Sequence, residues 1–188
     1  MAFTALYNVC VLYSAPLRDL LVELACTNLF RARWTDRIHG EWITNLHANR
    51  PDLDLGRLQA TAGMMNAAVE DCLIVDYDGL VPALTLPDPD DRHILAAAIV
   101  GRVDVIVTAN LKHFPPAALQ PYGIEAQHPD VFIRHTLSLD QHAIAAVRAC
   151  RMRPQNPPKN VEDYLATLAQ QGLPETVSYL ANEWAEFI

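Results

Sequence analysis

The stretch DDRHILAAAIVGRVDVIVT, residues 90–108, decides the fold. A helix is expected from Asp90 or Asp91 through HILAAAIV to Gly101, a residue suited to the position just past a helix end. After it, VIVT, residues 105–108, is a short, continuous run of β-branched residues. Such a run marks a central parallel strand covered on both faces, because a strand with one wet face would alternate.

Outward from this unit the same alternation recurs. FTALY, residues 3–7, reads as a buried strand, and Pro16 opens a helix with Leu17, Leu20, Leu21 and Leu24 on one face. A second helix starts near Thr35 or Asp36, with Ile38, Trp42 and Leu46 four apart. A third carries Leu55, Leu58, Ala62, Met65 and Val69 after the turn-like Pro51 and Asp52. CLIVDY, residues 72–77, reads as another strand, followed by a loop punctuated by Pro82 and Pro87. Strands alternating with helices predict an α/β fold, a doubly wound parallel sheet flanked by helices.

Beyond about residue 136 the pattern turns purely helical. Ser138 and Gln141 are expected to form a capping box ahead of HAIAAVRAC. RPQNPPK, residues 153–159, cannot be helical throughout. Two further apolar stripes follow: Val161, Tyr164, Leu165 and Leu168, then Val177, Leu180, Ala181 and Trp184. The expected division is therefore residues 1–135 as the α/β domain and 136–188 as an all-α extension.

With 188 residues, 51% of them hydrophobic, the chain can bury a substantial core without staples. Its four cysteines lie far apart, with neither a CxxC pair nor zinc-like histidine spacing, so reduced thiols in a cytoplasmic protein are expected. No apolar run approaches the roughly 20 residues of a membrane span, and no basic stretch leads into an apolar N-terminal core. A net charge of −8 disfavours general nucleic-acid binding. It is compatible with a nuclease, whose carboxylate metal site is acidic by necessity.

Polar groups fall where strands of such a sheet end, which is where open α/β folds place their ligands. They are Asn8 in LYNVCVLYS, Glu41 in TDRIHGEW, Asp88, Asp90 and Asp91 in LPDPDDRHILAAA, and Asn110 with His113 in TANLKHF. Taken singly, each has an ordinary use: a turn, a solvated helix face, an N-cap with first-turn charge, a loop histidine. In combination, LYNVCVLYS, IHGEW, PDPDDRHILAAA and VIVTANLKHF resemble the PIN-domain family over about residues 1–135, in its branch of VapC-like toxins with an extended C-terminal tail.

That resemblance implies an endoribonuclease of a toxin–antitoxin pair. It would use Mg²⁺ or Mn²⁺ on three or four acids, act as a homodimer and be inhibited by a cognate antitoxin, often DNA-binding. Carried over by position, Asn8 stands at the first acid, Glu41 at the second and Asp91, with Asp90 adjoining, at the third. His113 stands where the family commonly has Asp, with Asn110 and Thr108 as polar helpers. Hard divalent ions do require such oxygen ligands. Asn8 departs from the pattern, since an amide brings no charge to a cation, and this predicts weak metal binding and slow or absent cleavage. Either a deliberate replacement that lets a toxic nuclease be produced or a natural loss of chemistry accounts for it; the well-kept surrounding motif favours the former.

For phosphate contact, Arg92 and Lys112 adjoin the acids, and Arg33 and Arg37 lie near the proposed cleft, with Arg31 beside them. The competing reading is a non-catalytic PIN-like module that binds RNA or a protein. A phosphate-handling or hydrolase domain is disfavoured, because there is no glycine-rich phosphate loop, G-x-S-x-G elbow or Cys/His nucleophile pair.

Overall fold

The structure is a computed structural model that describes residues 2–153 and 158–188. The described strands form one parallel sheet, β1 (Thr4–Tyr7), β2 (Arg31–Arg33), β3 (Val105–Val107) and β4 (Glu125–Gln127), in the order β2-β1-β3-β4. Between them and after them run helices α1 (Val9–Tyr13), α2 (Ala15–Ala25), α3 (Asp36–Asn49), α4 (Leu55–Ala68), α5 (Arg92–Val100) and α6 (Pro116–Leu119). The C-terminal part adds α7 (Pro129–Leu139), α8 (His142–Met152), α9 (Val161–Gln170) and α10 (Pro174–Tyr179). The expected α/β class with a parallel sheet, flanking helices and a helical C-terminal part is therefore what the chain adopts.

The chain divides into two compact units. One comprises the chain up to Tyr13 and Phe30–His128; the other comprises Ser14–Leu29 and Pro129–Ile188. In the first, Leu6 pairs in register with Arg33 on one side and Ile106 on the other. Ala5, Leu6, Tyr7, Ile106 and Val107 are almost wholly buried, as a strand covered on both faces requires. Because the chain leaves β1 for β2 and later returns to β1's other side as β3, the sheet reverses direction between β1 and β3. A crevice opens beyond the carboxyl ends of two strands at such a reversal. Asn8 and Thr108, the residues immediately after them, are both buried there.

In the second unit the leucine face of α2, Leu17, Leu20, Leu21 and Leu24, is buried, and α2 packs with α8 and α9. Buried Asp130 on α7 accepts the backbone N–H of Glu175 and Thr176 at 2.8 Å each, satisfying amides at the start of α10 that no helical carbonyl can reach. The stripe proposed for the last helix is only partly inward. Leu180 is fully buried, whereas Ala181 is exposed and Thr176 takes an inner position.

Three local expectations are corrected. CLIVDY is not a strand: among the described residues it forms a single bridge, Leu73 to Trp34, because Asp71 just before it and Asp76 within it, with φ of 53° and 59°, turn the chain. Ser138 and Gln141 form no capping box. Ser138 lies inside α7 and bonds back to the His135 carbonyl, and Asp140 takes the His142 N–H instead. Gly101 ends α5 at φ −75°, and the left-handed residue is Arg102 at 50°. Glycine is needed at 101 for space, since a Cβ there would lie 2.5 Å from Ile74 Cδ1. Part of the Pro-rich stretch, 154–157, lies outside the described residues.

Candidate active site

A cleft of about 920 Å³ in the first unit is lined by the ends of β1 and β3, one face of α3, and the start of α5. Asn8, Glu41, Asp90, Asp91, Asn110 and His113, drawn from distant stretches of the chain, all line it, and Asp88 joins them.

The acids are sorted by a 3-10 turn at Pro89–Asp91. Asp88 caps it, its Oδ1 accepting the Asp90 N–H at 3.0 Å. Side chains three apart on a 3-10 helix eclipse one another. Asp88 and Asp91 therefore share a side, and His113, delivered by a second short turn at Leu111–His113, meets them. Its Nδ1 is 2.7 Å from Asp91 Oδ2 and 3.5 Å from Asp88 Oδ2. One ligand atom from each of Asp88, Asp91 and His113 lies within 4.8 Å of the others. Two ligands on opposite sides of one ion at about 2.0–2.5 Å stand that far apart, so the trio fits a divalent cation. Asp90 lines the cleft but stays outside the trio; the partner of Asp91 is Asp88.

Asn8 is committed elsewhere. Its Oδ1 accepts the Val9 N–H at 2.6 Å and its Nδ2 donates to Thr108 Oγ1 at 3.1 Å, which ties the end of β1 to the end of β3. Thr108 Oγ1 also accepts the Asn110 N–H at 3.1 Å and lies 3.4 Å from Cys10 Sγ. With both lone pairs taken, the hydroxyl has its proton left for the sulfur.

Glu41 is held from two sides. Arg37 Nε donates to Oε1 at 2.8 Å, and His93 Nε2 is 3.2 Å from Oε2. Burial pushes the Glu41 carboxyl up, but the hydrogen bonds from His93 and Arg37 outweigh it, so Glu41 ionises below the usual glutamate range. His93 was not anticipated, although DDRHILAAA contains it: it is the lone polar residue in the fully buried run His93–Ala98. Its Nδ1 is buried with no hydrogen-bond partner among the described residues.

The basic residues separate. Arg37 lines the cleft, half-exposed. Lys112 lines an adjoining hollow of about 330 Å³ with Asp88 and His113. Arg92 turns to the Pro89 carbonyl, and Arg33 pairs with Asp71; neither lines the cleft. Arg31, exposed on β2, does not line it either.

Residues 129–182 match the family model described as the VapC50 C-terminal domain, and the match begins where the second unit resumes. Over 71 residues the chain is 58% identical to a protein of Mycobacterium tuberculosis (strain ATCC 25618 / H37Rv) named "Putative ribonuclease VapC50". Both likenesses are to VapC50-type sequences. The matched stretch is 38% of the chain and spans 41% of the length of that relative. No solved structure matches it. Among the described residues no helix is long and apolar enough to cross a membrane.

Proposed function

We propose that this VapC-like chain is the endoribonuclease toxin of a toxin–antitoxin pair, with its chemistry impaired by Asn8. The observation that carries this reading is the convergence of Asp88, Asp91 and His113 within 4.8 Å, in a cleft shared with Asn8 and Glu41 at the sheet's reversal point. The nuclease chemistry lies within residues 1–135, and the helices of 136–188 form its extension.

In this reading Asp88, Asp91 and His113 hold Mg²⁺ or Mn²⁺, the imidazole suiting manganese better. When bound, the cation supplies positive charge against the negative charge that builds on a phosphodiester attacked by water. Glu41, kept ionised by Arg37 and His93, adds the carboxylate that faces this region from α3. Arg37 and Lys112 contact phosphates, Asn110 and Thr108 keep the loop after β3 in place, and RNA is the substrate. The name of the similar M. tuberculosis protein supports a ribonuclease. A cognate antitoxin, possibly DNA-binding, a homodimer and a cytoplasmic site of action follow from the same family reading.

An aspartate at position 8 would add a charge worth up to about 4 kcal/mol at 4 Å and an effective dielectric near 20, before solvation losses. The test is Asn8→Asp. The variant should bind Mn²⁺ at least about tenfold more tightly and cut RNA in Mg²⁺ or Mn²⁺. A folded variant as inert as the parent would overturn the nuclease reading. It would favour a non-catalytic PIN-like binding module, which the satisfied hydrogen bonds of the Asn8 amide also suit.

A further inference from the structure

Outside the Asp88–Asp91–His113 trio, three features of the molecule have no role assigned above. The hollow beside Arg134 and Tyr179 has nothing to indicate its occupant, and the half-buried Cys150 and buried Tyr164 open onto no cavity of their own among the described residues. The third is the arm of the cleft that runs along α3 away from the acids.

Arg37, Glu41, Asn45 and Asn49 line the cleft at intervals of four residues. That places one polar side chain per turn on a single face, over about 18 Å of helix at 1.5 Å per residue. The first two turns are charged and engaged with each other, with Glu41 also held by His93. The next two carry only amides, with Ala48 between them and Tyr13 of α1 opposite, all lining the same cleft. Asn49 Nδ2 donates to the Tyr13 hydroxyl at 3.0 Å, which orients that amide and leaves its Oδ1 as an acceptor. Asn45 is exposed, and no side-chain hydrogen bond engages it among the described residues.

An uncharged wall of this kind is poorly suited to phosphate. A carboxamide offers a donor and an acceptor side by side, the pattern that pairs with a nucleobase edge, and a tyrosine ring offers a stacking face. The volume agrees, since a hydrated ion alone would not need about 920 Å³. We infer that Asn45, Asn49 and Tyr13 form a base-reading subsite, in which unpaired bases of single-stranded RNA lie along α3 beside the scissile phosphate. This rests on the ribonuclease reading and adds what that reading lacks, a means of choosing where to cut.

The test compares a short single-stranded oligoribonucleotide with an abasic ribose-phosphate chain of the same length, each titrated against the full chain and its Asn45→Ala/Asn49→Ala variant. Both substitutions are at exposed positions, and circular dichroism checks the fold. The full chain should prefer the base-bearing strand by about tenfold or more, and the variant should lose that preference while its affinity for the abasic strand is unchanged. In the Asn8→Asp background, the same pair of changes should broaden the sequences found at cleaved positions. A preference that survives the double substitution, or is absent from the parent, overturns the subsite. If Asn8→Asp cuts RNA in that case, the subsite alone has failed; if it neither cuts nor binds RNA, both readings fall together.

Discussion

His93 Nε2 stands 3.2 Å from Glu41 Oε2, so a fully buried ring on α5 fixes a half-buried carboxylate on α3. Without it, Glu41 keeps only Arg37, and a partly exposed i,i+4 pair contributes little on its own. His93→Ala should lower stability by about 2 kcal/mol, read from denaturant midpoints, and should weaken Mn²⁺ binding in the Asn8→Asp background. His93→Gln, which retains a donor, should recover most of the binding. If the two variants bind manganese equally, His93 serves packing alone.

At the end of α5, Gly101 and Arg102 make opposite predictions. Gly101→Ala forces a Cβ against Ile74 and the Ala97 carbonyl and should cost about 1–3 kcal/mol. Arg102→Gly removes a side chain from the left-handed region and should stabilise by up to about 1 kcal/mol. Thermal unfolding of the two variants side by side checks the contrast.

Asp130 offers a test confined to the second unit. Asp130→Ala strips the Glu175 and Thr176 amides of their acceptor and should cost about 1–3 kcal/mol. Hydrogen exchange of amides 174–180 should accelerate more than that of α2. Uniform acceleration across the chain would argue against a local lock.

Alkaline stability follows from Cys150 and Tyr164. Burial pushes the Cys150 thiol up to about 12 and raises the Tyr164 phenol, with Cys150 adding to the latter. Both groups hold their protons more tightly folded than unfolded. Their contribution is complete below the ordinary thiol value of about 8.5 and fades as pH climbs. Unfolding midpoints should fall progressively toward pH about 12, and Cys150→Ala should flatten the earlier part of that decline. A midpoint constant over this range would contradict the assignment.

Legibility in the sequence tracked local physics. The run VIVT and the leucine period of α2 were readable because burial imposes a pattern along the chain itself. The strands Arg31–Arg33 and Glu125–Gln127 were not, being three residues each and largely charged or polar. The helix Pro129–Leu139 over HPDVFIRHTLSL was not legible either; its buried Asp130 is held by amides of Glu175 and Thr176, more than forty positions away. At the site, PDPDDRH located the acids, but choosing Asp88 over Asp90 required the eclipsing geometry of a 3-10 turn. His93 was hidden because a lone histidine in an apolar helix announces no partner.

The leucine face of α2 is made before the helices that pack on it, α8 and α9, which follow more than a hundred residues later. Throughout synthesis that face has no native cover, so a nascent chain halted before α9 presents sticky, unfinished surface of the kind chaperones and proteases recognise. The helices of the second unit thereby finish a core whose first apolar face was laid down more than a hundred residues before.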